Sequence, residues 1–165
     1  MTITIIGGGI IGLTTAFELT ERGESVHLID AETNDYGTAD DGTALYPAAS
    51  HYAGGMLALM TASADAYPSL MERLSRATDL PTGYDTTGTL IVAADRADAE
   101  HLQRTRAYYR DMNRPADAVT PTQARALEPL LAPRIAGAVS IPSDHQLHPR
   151  LMRRALKDAL TRRGV

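Results

Sequence analysis

The stretch that decides the fold is the first thirty residues, Thr2-Ile-Thr-Ile-Ile6, Gly7-Gly8-Gly9-Ile10-Ile11-Gly12, then Leu13 to Gly23 and Val26-His-Leu-Ile29-Asp30. Thr2 to Ile6 is a short β-branched run and reads as a buried parallel strand. The glycines follow it without a gap. From Ile11 to Glu21 the pattern is helical, with Leu13, Ala16, Phe17 and Leu19 available for packing, and Gly23 falls where a left-handed helix terminus is wanted. Val26 to Ile29 is a second apolar run that ends on Asp30. Strand, glycine turn, helix, strand and acid make the first βαβ unit of a dinucleotide fold. Gly7 permits the tight turn, Gly9 lets a pyrophosphate approach the backbone, and Gly12 lets the helix pack on the sheet. Unpaired N–H groups and the helix dipole then favour phosphate charge. Asp30 lies 18 residues beyond Gly12, close to the spacing of about 20 for an acid that accepts hydrogen bonds from ribose hydroxyls. The bland alternative is a glycine joint between strand and helix, with Asp30 as a solvated strand end.

Composition narrows the class. The 165 residues suit one domain, with 44% hydrophobic and 22% charged residues and a formal net charge of −4. Nothing in that balance points to nucleic acid or to an anionic membrane surface. Cysteine is absent, which removes thiol catalysis, disulfides and Cys-based metal sites from this chain. The N-terminus lacks a basic region followed by a cleavage site, and no apolar run reaches the roughly 18–20 residues of a membrane span. A soluble cytoplasmic protein is the expectation.

The fingerprint alone does not choose between NAD and FAD. After Asp30 a polar loop with Asp35, Tyr36, Asp40, Asp41 and Tyr46 leads into Ala48-Ala-Ser-His-Tyr-Ala-Gly-Gly-Met-Leu57, and the next clear strand is Gly88 to Ala94. Small residues there would let backbone amides approach a flat or anionic ligand. A long insertion after the second strand suits a flavoprotein better than a simple NAD domain.

At this point the chain resembles the D-amino-acid oxidase and glycine oxidase family of flavoproteins. The resemblance runs along essentially the whole chain: Ala49 to Leu57, ending Gly-Met-Leu; Thr87 to Asp95; and Ser143-Asp-His-Gln-Leu-His-Pro149 opening a crossover helix. It implies an α/β fold, a Rossmann-like FAD-binding βαβ with inserted α+β substrate-region segments, truncated before the third parallel strand. The implied division is 1–50 for the FAD-binding βαβ and flavin-side loop, 51–148 for the inserted region, and 149–165 for the crossover helix. The implied cofactor is FAD, held by Gly7, Gly9, Ile10, Ile11, Gly12, Asp30 and Ala31 and, from the small-residue run, by Ala49, Ser50, Gly54, Gly55 and Met56. The implied reaction oxidises the amine of glycine or a small D-amino acid to an imine with oxygen as acceptor, in thiamine biosynthesis. The family's substrate-anchoring groups lie in its C-terminal half, so no catalytic residue is assigned here. Dehydrogenase and sarcosine-oxidase-like activities, and an inactive dinucleotide-binding fragment, remain alternatives; homo-oligomerisation of a full-length form is left open. Three departures stand out: no Lys or Arg occurs between Arg22 and Arg73, His51 and Tyr52 replace residues that are usually small, and His148 stands where the family usually has an acid.

Elsewhere, helices are expected over 66–78, 96–112, 120–127 (with Thr120 as N-cap) and from Pro149 onward, and a strand over 135–141. His51, His101, His145 and His148 read as polar surface or helix-start residues rather than metal ligands, and no metal site is assigned. Tyr108 and Tyr109 read as packing residues, and the arginines from Arg150 to Arg163 as a solvated helix face.

Overall fold

The computed structural model describes residues 1–31, 43–44 and 54–165. The elements run β1 (Thr2–Ile6), α1 (Ile10–Glu21), β2 (Ser25–Ile29), β3 (Thr43–Ala44), α2 (Gly54–Ala77), β4 (Tyr84–Asp85), β5 (Thr89–Ala93), α3 (Arg96–Asp111), β6 (Asp117–Val119), α4 (Pro121–Leu127), β7 (Gly137–Ile141), β8 (Gln146–Leu147) and α5 (Pro149–Arg162). The fold is mixed α/β, and the chain divides into two units.

The first unit comprises Met1–Thr43, Asp65–Tyr84 and Gln146–Val165. β1 and β2 pair in parallel, in register from Thr2 with Ser25 to Ile6 with Ile29, as the opening βαβ reading requires. The N–H of Gly7 donates to the Ile29 carbonyl at 2.7 Å and carries the ladder one step past β1. Gly23 has φ +80° and turns the chain out of α1, while Glu24 N–H returns to Leu19 O. α1 buries Leu13, Ala16 and Phe17, and α5 buries Met152, Ala155, Leu156, Ala159 and Leu160 at the i, i+3, i+4 spacing of one helix face; the two helices pack on each other. Leu70, Met71 and Leu74 of α2 are buried as one stripe, as their spacing predicts. On the opposite face of the two-stranded sheet Ile6 is 84% and Ile29 47% exposed among the described residues.

Ion pairs tie these helices together. Arg73 pairs with Glu18 and lies 3.9 Å from Glu21; Arg163 pairs with Glu21 and stands 4.7 Å over the Phe17 ring. Arg162 reaches Asp79 at 3.3 Å and Asp158 at 2.9 Å. Thr78, buried, donates its hydroxyl to Asp158 at 2.5 Å. The arginines of α5 therefore do more than line a solvated face, which corrects the sequence expectation.

The second unit comprises Ala44–Ala64 and Asp85–His145. Its sheet has the order β5-β7-β6, antiparallel throughout, with Ile91 opposite Val139 and Ala118 opposite Val139 on the other side. α3 covers it, and Ala93, Leu102, Tyr109, Val139 and Ile141 form the core, with Tyr108 packed against them. α3 starts on Asp95, whose side chain accepts from Asp98 N–H; α4 starts on Thr120 with a complete capping box to Gln123. The expected helices and strands are found here within a residue or two. The dipeptide strands and β6 were not foreseen. The helix expected from 66 instead begins at Gly54, so part of the small-residue run is helical rather than loop.

Candidate functional site

The glycine turn between β1 and α1 is the built feature of the first unit. Gly7 sits at φ +111°, a conformation that side chains rarely adopt, and this swings the chain off the strand. Its carbonyl faces the Cα of Gly12: a Cβ there would meet Gly7 O at 2.0 Å. Gly9 is the N-cap of α1, with φ −70° and ψ 173°, and among the described residues a Cβ built on it meets nothing within 4 Å. No side chain caps this helix and no acid stands in its first turn. The first intrahelical bond is Leu13 N–H to Gly9 O at 2.9 Å, so the amides of Ile10, Ile11 and Gly12 begin the helix without an acceptor from within it. Ile11 is largely exposed, which leaves that end of the helix reachable from solvent. The arrangement suits an anion: donors converge, the dipole is favourable, and space is free beside Gly9.

Asp30 stands at the end of β2, on the same turn. Its carboxylate accepts the Gly8 N–H and the Ala31 N–H and lies 3.5 Å from the Lys157 ammonium. The Gly8 N–H in the first place, then Lys157 and Ala31, hold its carboxyl below the usual carboxylate value against the opposing pull of desolvation. The acid is therefore ionised at neutral pH and about a third of its side chain is open to solvent. A recess of about 260 Å³ opens beside it, lined by Leu13, Leu28, Asp30, Lys157 and Leu160 among others. An ionised acceptor next to an uncapped helix start is what the ribose and diphosphate of a dinucleotide require, so the residues present fit FAD.

Of the residues singled out in the sequence, Gly7, Gly9, Ile10, Ile11, Gly12, Asp30 and Ala31 come together in this turn. Ala49 and Ser50 lie outside the described residues. Gly54, Gly55 and Met56 form the first turn of α2, with Met56 exposed. His148 is the N-cap of α5 without a side-chain cap bond, and its Cβ lies where a side chain on Gly83 would stand, 2.5 Å from that glycine's built Cβ.

Three participants were missed. Gly8, a variable position of the fingerprint, is in fact as constrained as its neighbours: a Cβ there would stand 2.2 Å from Asp30 Oδ2. Lys157 and Arg153, one turn apart on α5, reach Asp30 and Gly8 O respectively, the latter at 3.3 Å. A basic pair at i, i+4 in the middle of a helix was visible, but its target was not.

Comparison with known proteins identifies the family. A glycine oxidase of Geobacillus kaustophilus is 29% identical over 148 residues, covering 88% of this chain and 39% of that protein. A glycine oxidase of Pseudomonas putida is 31% identical over 163 residues, covering 96% and 42%. The crystal structure of the Geobacillus kaustophilus glycine oxidase superposes with a TM-score of 0.83 at 28% identity, covering 96% of this chain and 44% of that one. The chain thus spans well under half the length of these relatives and matches their N-terminal part. The family model described as "FAD dependent oxidoreductase" matches residues 2–165, and with glycine turn, acid and parallel strands in its expected order the chain belongs to that family.

Proposed function

We propose that this chain is the N-terminal, FAD-binding part of an oxidoreductase that oxidises the amine of glycine or a small D-amino acid to an imine, with oxygen as electron acceptor. The observation that carries the reading is the uncapped start of α1 beside an ionised Asp30. In it, the amides of Ile10 to Gly12 take the diphosphate and the Asp30 carboxylate accepts from ribose hydroxyls. Ala49, Ser50, Gly54, Gly55 and Met56 are assigned to the flavin side on sequence resemblance. Bound flavin would supply the hydride acceptor; this chain's residues bind and orient it. The named activity of two relatives, glycine oxidase, supports the substrate class. Residues 1–50, 51–148 and 149–165 are assigned to nucleotide binding, an inserted substrate region and a crossover helix. Supply of an imine for the thiazole of thiamine is the physiological role that fits. Turnover is ascribed to a protein of the relatives' full length.

The purified chain is mixed with excess FAD, desalted and scanned in the visible range. Retained oxidised-flavin bands that disappear in Gly9→Val support the reading, because a side chain at Gly9 would occupy the space the diphosphate needs. A folded chain that comes through colourless counts against it. For the activity, a version extended to the relatives' length is given glycine: peroxide identifies an oxidase, whereas reduction of a quinone without peroxide identifies a dehydrogenase.

A further inference from the structure

The Gly8 residue is gripped from both sides. Its N–H is taken by the Asp30 carboxylate, and its carbonyl accepts from Arg153 Nη2 at 3.3 Å, a contact between residues 145 positions apart. The rest of the guanidinium is enclosed: Nε and Nη1 are buried and have no hydrogen-bond partner among the described residues. A buried cation with two idle donors is costly unless something compensates it.

We infer that Arg153 is a positioning residue of the nucleotide turn: by holding the Gly8 carbonyl it aims the Gly9 amide, and its charge favours an anionic group at that turn. This rests on the dinucleotide reading above. The geometric step follows from the peptide bond, which is planar and trans, so the Gly9 N–H points opposite to the Gly8 C=O. With the carbonyl drawn toward α5, the amide is turned away from α5, at the residue that caps α1 and has free space at its Cα. The electrostatic step follows from the idle donors: a poorly solvated guanidinium raises the potential around the turn, and a diphosphate lowers that cost on arrival. Lys157, one turn further along, serves the other end by pairing with Asp30. The two cations of α5 thus divide the nucleotide between them, Arg153 acting on the diphosphate side and Lys157 on the ribose side.

The division gives a ratio that a merely structural arginine would not move. ADP and adenosine are titrated into the 165-residue chain, by calorimetry or ligand-observed NMR, for wild type, Arg153→Met, Arg153→Gln and Arg153→Lys. Loss of one charged hydrogen bond predicts that Arg153→Met weakens ADP about tenfold and leaves adenosine within about twofold. Arg153→Lys, which keeps the charge and a donor, restores most of the ADP affinity. Should Arg153→Met fail to fold by circular dichroism, Arg153→Gln carries the test, since it keeps a donor and loses the charge. Equal weakening of both ligands, or no change in either, overturns the inference and leaves Arg153 as a brace between α5 and the turn. A folded wild type that binds neither ADP nor adenosine overturns the dinucleotide reading and the inference with it; retained FAD with an unchanged ratio in the variants overturns the inference alone.

Discussion

The Cα of Gly12 stands directly against the carbonyl oxygen of Gly7, which would lie 2.0 Å from any Cβ placed there. The obstacle is backbone, so it cannot rotate aside, and α1 must retreat from β1 to admit even a methyl group. Gly12→Ala is expected to cost about 1–3 kcal/mol or more. Gly9→Ala, with nothing within 4 Å and an ordinary φ, should stay within about 0.5 kcal/mol of wild type. Urea midpoints of the two variants check this, and coincident midpoints would refute it.

The contact between Gly8 and Asp30 is of a different kind, because one partner is a side chain. A Cβ on Gly8 would stand 2.2 Å from Oδ2 and 2.9 Å from the Asp30 Cβ, so the carboxylate would have to leave the turn and give up Lys157. Gly8→Ala should therefore destabilise wild type by about 1–3 kcal/mol but cost much less in an Asp30→Gly background, which removes both the carboxylate and its Cβ. A double-mutant cycle measures the coupling, and additive effects would show that the two residues are independent.

Asp30 also predicts a pH dependence. The Gly8 N–H above all holds its folded pKa below the ordinary carboxylate value. The unfolded chain thus binds the proton more readily, so the stabilisation is present above about pH 4 and is lost as pH falls through the lowered value. Asp30→Asn should flatten the acid limb of stability below about pH 4. Chemical denaturation at a series of pH values reads this directly, and an unchanged limb would remove Asp30 from the account.

Tyr109 predicts the opposite limb. Its side chain is 1% exposed, and burial first, then the charge of Asp144 and the neighbouring Tyr108, push its phenol up to about 12. The unfolded tyrosine ionises near 10, so the stabilisation is complete below about pH 10 and is lost as pH rises toward about 12. Tyr109→Phe should reduce that alkaline loss. Tyr67 and Tyr84, also raised by burial, keep some of it in the first unit. Thermal melts between about pH 9 and 12 distinguish the two proteins. Parallel curves would show that Tyr109 does not control the limb.

How much of this was legible in the sequence depends on the range of the interactions. β1, α1 and β2 could be read because a β-branched run, three spaced glycines and an apolar period each declare themselves within a few residues. The Thr120 cap and Pro149 at a helix start are equally local. Gly8 could not be read, because its constraint comes from Asp30, twenty-two positions on, and the fingerprint treats it as variable. Arg153 looked like one more basic residue on a helix, since only the fold brings it to Gly8. β6, three residues long, exists by virtue of its pairing with β7 rather than any pattern of its own. The start of α2 at Gly54 ran against glycine's poor helix propensity, which the apolar residues after it outweigh.

The division of the chain into interleaved pieces has a consequence for the order in which the molecule is made. Most of the second unit is one uninterrupted stretch, Asp85–His145, whose strands and helix are near neighbours in sequence. The first unit is assembled from three separate stretches, and the last of them, Gln146–Val165, carries the helix that covers Leu13 and Phe17 of α1. During synthesis α1 therefore leaves the ribosome well before the helix that encloses it. Until α5 arrives, the glycine turn has neither Arg153 nor Lys157, and the apolar side of α1 is a surface rather than a core.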